Sequence, residues 1–141
     1  MAMDDLYNLQ RFIDAQESVY PQVCAELRRG RKSGHWMWFI FPQIRGLGYS
    51  ETAQYFALSS LGEAKAYLDH PVLGSRLREC AGLMLQIENK SLDQILGYPD
   101  NLKFHSSMTL FARAAVDDTV FLEALKRYFD GKLDPQTLSR L

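Results

Sequence analysis

Apolar residues along this chain recur mostly at intervals of three and four positions, the spacing that places side chains on one face of an α-helix. This pattern predicts an amphipathic helix over about residues 5–16. A second helix is predicted from Tyr20, with Pro21 suited to its first turn and Gly30 to its end. We therefore expect two short helices joined by a brief turn at the start of the fold.

Capping signals extend the same interpretation through the rest of the chain. Ser60-x-x-Glu63 and Ser91-x-x-Gln94 match the capping box, and the longest periodic segment, about residues 71–89, lies between them. Other residues that favour helix ends are Ser50, His70-Pro71, Gly97, Asp118, Gly131 and Asp134-Pro135. No segment alternates in the manner of a β-strand. The sequence therefore predicts an all-α fold, a single compact multihelical domain over residues 1–141.

Two segments interrupt this helical pattern. Residues 33–50 are rich in aromatic residues and glycine, and Pro42 among them prevents a long regular element. Residues 103–111 mix hydroxyl-bearing with large apolar side chains, although Ser and Thr suit a helix interior poorly unless their hydroxyls find partners. A domain that needed only a core would have little use for either segment, so we expect function to lie there. The sequence leaves open whether the two segments meet in space.

Composition and charge narrow the class of protein. Of 141 residues, 47% are apolar, 12% aromatic and 23% charged, with a formal net charge of −1. These values exclude wholesale disorder and argue against a protein that coats nucleic acid or an anionic membrane. The longest apolar run, Trp36–Phe41, is far shorter than the roughly 20 residues of a membrane-spanning helix. We expect a cytoplasmic protein, with Cys24 and Cys80 as reduced thiols in its core.

The first interrupting segment combines indole rings with polar side chains and glycines. Some of its aromatic residues will fill the core, because such rings bury large areas. Glycines can also present backbone N–H groups to an anion. His35 is the simplest candidate for a general base. The candidate ligand-binding residues of this segment are Trp36, Trp38, Gln43, Arg45, Gly46 and Gly48.

The second interrupting segment offers a cation, an imidazole and three hydroxyls within seven residues. On a helix, Lys103 and Ser107 would share a face. We therefore predict that Lys103 binds an anion or stabilises negative charge, with Ser107 as a candidate nucleophile beside it. Ser106 and Thr109 complete the predicted ligand contacts. A simpler interpretation, a solvated lysine with capping hydroxyls at a helix start, stays open.

Other kinds of site are less favoured. The histidines stand alone in sequence and the cysteines form no ligand pair, so we predict no metal site and no cofactor. The basic cluster within residues 28–32 is explained by the attraction of cations to a helix C-terminus, which leaves nucleic-acid binding unlikely. No phosphate-binding glycine motif of the usual kinds is present. Several glutamates are interpreted as surface or capping groups: Glu26, Glu51, Glu63 and Glu88.

The two interrupting segments together resemble the signature of a known family. The residues that carry the resemblance are Gly34–Gln43, Gly46–Gly48, Ser50, Glu63-Ala64, Tyr67-Leu68, His70-Pro71, Leu73-Gly74, Arg76-Leu77, Asp100, Lys103, Ser106–Phe111, Phe129 and Gly131. They are similar to a bacterial family of domains of unknown function, number 1810, and they cover nearly the whole chain. The resemblance implies a small, mostly helical cytoplasmic protein with no settled activity.

Members of that family often carry the label calpastatin or calpastatin-like. Calpastatin inhibits its protease through the coupled folding of a largely disordered, polar segment. This chain is instead rich in aromatic residues and able to form a core. Its composition does not fit the label, so we do not expect protease inhibition.

Two functions from different classes remain. The leading hypothesis is a pocket for a small anionic ligand with a planar part, such as a nucleotide or an ADP-ribose-like molecule, because indole stacks on a base while Lys and Arg pair with phosphate. A catalytic version would be a hydrolase or transferase, and the sequence leaves open whether any reaction occurs. The alternative is a protein-interaction module in which Trp36–Phe41 is an exposed hot spot. A protein partner and the oligomeric state stay open.

Overall fold

The computed structural model of this protein describes residues 5–141, and the regular structure in that part consists of ten helices. The first four residues, which the sequence assigns to the same domain, lie outside the described part. The helices are α1 (Gln10–Glu17), α2 (Tyr20–Arg29), α3 (Met37–Ile40), α4 (Glu51–Phe56), α5 (Leu61–Asp69), α6 (Leu73–Gln86), α7 (Leu92–Ile95), α8 (Asp100–Ala114), α9 (Thr119–Phe129) and α10 (Pro135–Leu138). The all-α prediction is confirmed.

Helix α8 is the centre of the packing. It is flanked by α5 and α9 and carries α10 at its side, while α6 joins α2, α5 and α9 into the same core. Because α8 is covered on several sides, polar residues in its middle are buried together with the apolar ones. The short α3 packs against α1 and α4, which brings the aromatic segment against the same core.

Most predicted helix ends occur where the sequence placed them. Gly30 ends α2 with a left-handed φ of 78°, which glycine adopts without steric cost. The capping box at Ser91 is complete, with side-chain hydrogen bonds in both directions. At Ser60 only half of the box forms, because the Glu63 carboxylate instead accepts hydrogen bonds from the backbone and hydroxyl of Ser59.

Two of the predicted helices are longer than the helices in the structure. Helix α1 begins at Gln10 rather than near residue 5, because the Asp5 carboxylate accepts hydrogen bonds from the N–H groups of Leu9 and Gln10 and so caps the first turn from outside. The long periodic segment is helical only over Leu73–Gln86. Cys24 and Cys80 are both buried in the core and are not joined by a disulfide.

The second interrupting segment lies inside a continuous helix. Residues 103–111 belong to α8, which begins at Asp100. The hydroxyls of Ser106 and Thr109 lie 3.1 and 2.9 Å from the carbonyl oxygens four residues earlier, so they find hydrogen-bond partners within the helix. The simpler interpretation of capping hydroxyls at a helix start is therefore wrong.

The first interrupting segment is irregular apart from α3. After that short helix the chain runs beside the end of α4, where Ile44 and Leu58 form an isolated parallel bridge. The Arg45 N–H donates to the Leu58 carbonyl at 2.8 Å, and the Leu58 N–H donates to the Gln43 carbonyl at 3.0 Å. This pairing positions the backbone of Gln43 across the cavity from α8.

Candidate functional site

The structure brings the two interrupting segments together. The Phe41 and Phe104 rings meet edge to face with their centroids 4.9 Å apart. One residue earlier in α8, the Lys103 ammonium lies 4.6 Å from the centroid of the Trp38 ring, within cation–π distance. Sequence reasoning had left this contact open.

An open cavity of about 340 Å³ lies between the two segments. This volume falls within the range of small-molecule sites. Its walls come from the loop after α3, the start of α8 and the start of α10. The lining residues are Gln43, Leu47, Gly48, Pro99, Leu102, Lys103, His105, Ser106, Asp134 and Gln136.

Lys103 is the cation of this cavity, and its charge is only partly neutralised. Its Nζ lies 3.8 Å from Asp100 Oδ1, at the outer limit of an ion pair. The other carboxylate oxygen of Asp100 is paired with Lys32 at 2.7 Å. Because Asp100 already has a closer cationic partner, Lys103 retains the capacity to pair with an anion.

Asp134 forms the acidic corner of the cavity. The hydroxyls of Ser106 and Thr137 both donate to Asp134 Oδ2, at 2.9 and 2.6 Å. Partial burial raises the pKa of Asp134, but these hydrogen bonds and the N–H of Gln136 outweigh it, so that the pKa lies below its usual value. Among residues 5–141, Asp134 Oδ1 receives only the Gln136 N–H, at 3.4 Å, and therefore remains able to accept a ligand hydroxyl.

His105 and Thr109 fix the loop that carries Asp134. The His105 ring stacks on Phe129 at 4.0 Å, and its Nε2 hydrogen-bonds to the Lys132 carbonyl oxygen at 2.8 Å. The Thr109 hydroxyl accepts the Asp134 N–H at 2.9 Å. Thr109 is buried and does not line the cavity, so it positions the loop rather than offering a surface to a ligand.

Trp36 and Glu26 form a buried anchor for the start of the aromatic segment. Glu26 Oε1 accepts hydrogen bonds from the backbone N–H groups of Ser33 and Gly34, at 2.7 and 2.9 Å, and from Trp36 Nε1 at 2.9 Å. Glu26 Oε2 accepts a further bond from Gln22 at 2.7 Å. Burial favours the neutral acid, but these four donors prevail and lower the pKa of Glu26 to about 2.

The prediction that Glu26 is a surface or capping group is therefore wrong, since only 1% of the residue is exposed. Trp36 is likewise only 2% exposed, and it does not line the cavity. Its predicted place in a ligand-facing wall does not fit this burial. The indole belongs to the core, and its one polar atom is already bound to Glu26.

Trp38 has the opposite environment. Its side chain lines a second and smaller void, and Gln43 and Lys103 line the same void. Trp38 Nε1 is buried but has no hydrogen-bond partner among residues 5–141. An indole N–H can only donate, so this atom needs an acceptor that the described protein does not supply.

Several other predicted site residues lie away from the cavity. His35 and Arg45 are exposed, and neither lines it. Gly46 has a left-handed φ of 100°, a backbone conformation that glycine adopts without strain, and it does not line the cavity. Ser107 is completely buried and its hydroxyl has no partner among residues 5–141, an environment without access for a substrate.

The exposed hot spot predicted for the alternative function is wrong for most of its residues. Trp36, Met37, Ile40 and Phe41 are each at most 2% exposed, because α3 inserts this face into the core. Trp38 and Phe39 are partly buried. A segment in this state offers little surface to a protein partner.

Asp134 and Gln136 line the cavity but were not predicted from the sequence, and His105, the imidazole of the second interrupting segment, was given no site role. Asp134-Pro135 was identified as a helix start, which is correct. Nothing in its local pattern signals that α10 packs beside α8 and turns this aspartate toward Ser106. Only the tertiary fold brings these residues to the cavity.

Two kinds of feature are absent from the described part of the chain. No group of three or more His, Cys, Asp or Glu residues within 5–141 is arranged to hold a metal ion. No helix of that part is both long and apolar enough to cross a membrane.

Comparison with known proteins gives a family and one close structure. A family model described as "Protein of unknown function (DUF1810)" matches residues 6–141. The crystal structure of the conserved hypothetical protein Rv1873 from Mycobacterium tuberculosis is similar to this chain at 52% identity and a TM-score of 0.96, covering 97% of this chain and 98% of that one. No curated protein matches significantly. Neither description states an activity.

Proposed function

Because the chain belongs to the DUF1810 family, whose function is unknown, we propose a function from the cavity itself: it binds a small anionic, nucleotide-like ligand. The observation that carries this proposal is Lys103, a cation inside a 340 Å³ cavity with only a loose ion pair. A cation with spare pairing capacity in a concave site favours a phosphate or carboxylate group.

The other side of the cavity suits the uncharged part of such a ligand. Asp134 Oδ1 can accept a sugar hydroxyl, and Ser106 lies beside it. Leu47 and Leu102 supply apolar surface for a flat ring, and Gly48 gives the loop wall a side-chain-free position. An anion at Lys103 with hydroxyls toward Asp134 is an arrangement that a mononucleotide can adopt.

A thermal-shift screen against nucleotides, nucleosides, sugar phosphates and ADP-ribose tests this proposal. A ligand at 100 times its dissociation constant adds about 2.7 kcal/mol to the stability of the native state, a rise of several degrees in Tm. The screen should be run in parallel on wild type, Lys103→Ala and Lys65→Ala. Lys65 is the matched control, an exposed lysine on α5 that does not line the cavity.

We expect a phosphate-bearing compound to raise the Tm of wild type and of Lys65→Ala. Lys103→Ala should bind it about 10- to 100-fold more weakly, because a hydrogen bond to a charged group contributes about 1.5–3 kcal/mol. A hit that survives unchanged in Lys103→Ala would remove this lysine from the site. A blank screen on wild type would contradict the proposed function.

A further inference from the structure

We propose that Trp38, Gln43 and Lys103 form an inner subsite that receives one oxygen of the ligand's phosphoryl or carboxylate group, with the Trp38 indole N–H as the direct donor. This inference rests on the proposed function and deepens it. It assigns Trp38 a hydrogen bond to the anionic group, in place of the stacking wall that the sequence suggested.

The first observation is the unpartnered indole nitrogen. Trp38 Nε1 and Ser107 Oγ are the buried side-chain polar atoms without a hydrogen-bond partner in residues 5–141. Ser107 is enclosed in the core and lines neither cavity of this region. Trp38 instead lines a void, and we place the missing acceptor there.

The second observation is the size and position of that void. It measures about 10 Å³, close to the space of a single water-sized atom. Gln43 and Lys103 line both this void and the larger cavity, which makes the two adjacent. A ligand in the outer cavity could therefore extend one oxygen inward.

The third observation is the chemistry of the walls. Trp38, Lys103 and Gln43 are the polar residues that line the void, and its other lining residues are apolar, with no carboxylate among them. An ammonium and an indole N–H are both donors only. The Gln43 carboxamide carries an NH₂ group that can turn toward the same point. With that NH₂ turned inward, all three groups present donors, and a set of donors favours an anionic oxygen.

Indole N–H resonances in a nitrogen–proton NMR spectrum of the full chain give a direct test. The chain has two tryptophans, and Trp38→Phe identifies which peak belongs to Trp38. Inorganic phosphate and acetate are titrated separately, to distinguish a phosphoryl from a carboxylate preference. Trp36 is the internal control, because its N–H is already bound to Glu26.

With phosphate, we expect the Trp38 peak to move downfield and saturate while the Trp36 peak stays in place. Lys103→Gln should require about tenfold more phosphate for the same shift. A response to acetate alone would support the subsite with a carboxylate as its ligand. A Trp38 peak that responds to neither anion, or moves no more than that of Trp36, would overturn the inference and leave a single water as the occupant.

The affinity for AMP separates this inference from the proposed function. Trp38→Phe keeps an aromatic ring beneath Lys103 but lacks the N–H, and it should bind AMP about tenfold more weakly than wild type. Unchanged AMP affinity in this variant would overturn the inference while the proposed function stands. A phosphate response at Trp38 without binding of any nucleotide would support the subsite and remove the proposed function.

Discussion

Trp36 and Trp38 lie two positions apart in one segment, yet they differ in whether the indole N–H has a hydrogen-bond acceptor in the described protein. The Trp36 indole N–H donates to the buried Glu26 carboxylate, which also accepts bonds from the backbone of Ser33 and Gly34. The Trp38 N–H is buried with no acceptor in residues 5–141, and Trp38 lines a void that Lys103 also lines. Satisfied polar groups stabilise a fold, whereas unsatisfied donors beside a cavity are available to a ligand. We therefore assign stability to the Glu26 anchor and binding to the cavity.

The largest expected effect concerns stability at the anchor. Trp36→Ala should lower the free energy of unfolding by roughly 3–5 kcal/mol, because it creates a void and leaves Glu26 with one donor fewer. Trp38→Phe should change it by less than about 1 kcal/mol, since the lost N–H has no partner. Urea unfolding monitored by far-ultraviolet circular dichroism measures both variants. Equal destabilisation of the two would break the contrast between the tryptophans.

The next effect is the acid sensitivity of the anchor. The pKa of Glu26 is about 2 in the folded protein, against 4.5 as its ordinary value. A lowered pKa means that the stabilisation is complete above about pH 4.5 and is lost as the pH falls toward 2. The difference between these two pKa values corresponds to about 3 kcal/mol in the free energy of unfolding.

Glu26→Gln should remove this part of the acid dependence. Comparing its unfolding free energy with that of wild type between pH 5 and pH 2.5 measures the contribution, and Glu123→Gln, an exposed residue of α9, is the matched control. The difference in unfolding free energy between Glu26→Gln and wild type should become smaller as the pH falls. A constant gap over that range would show that the Glu26 carboxylate is not held by its donors.

The smallest effect separates two adjacent serines of α8. Ser106 donates to Asp134 at the cavity, whereas the Ser107 hydroxyl is buried without a partner among residues 5–141. Ser106→Ala should cost about 1 kcal/mol, and Ser107→Ala should be neutral or stabilise by up to about 1 kcal/mol. Ser107→Ala should also leave ligand binding unchanged, as a calorimetric titration would measure. Loss of binding in that variant would restore Ser107 as a site residue.

Local signals in the sequence predicted much of the fold. The family resemblance and the all-α class are confirmed, as are the glycine end of α2 and the capping box at Ser91. These features depend on residues within one turn of each other. The continuity of α8 was harder to predict, because it depends on hydroxyls that bond to carbonyls inside the helix.

Only part of the candidate site was predicted from the sequence. Lys103, Gln43, Gly48 and Ser106 were predicted as site residues and line the cavity. Asp134 comes from a distant element, and no local pattern links it to α8. Glu26 carried a usable signal, since its position three residues after Val23 places it on the buried face of α2. A charged residue at such a position indicates a buried hydrogen-bonded group rather than a surface one.

The most direct test of the account is a crystal structure of the protein grown with saturating AMP. We predict AMP between the two interrupting segments, with a phosphoryl oxygen within about 3 Å of Trp38 Nε1 and of the Lys103 ammonium. The sugar hydroxyls should point toward Asp134. AMP bound on another face, AMP with its phosphate directed away from Lys103 and Trp38, or an empty cavity would contradict it.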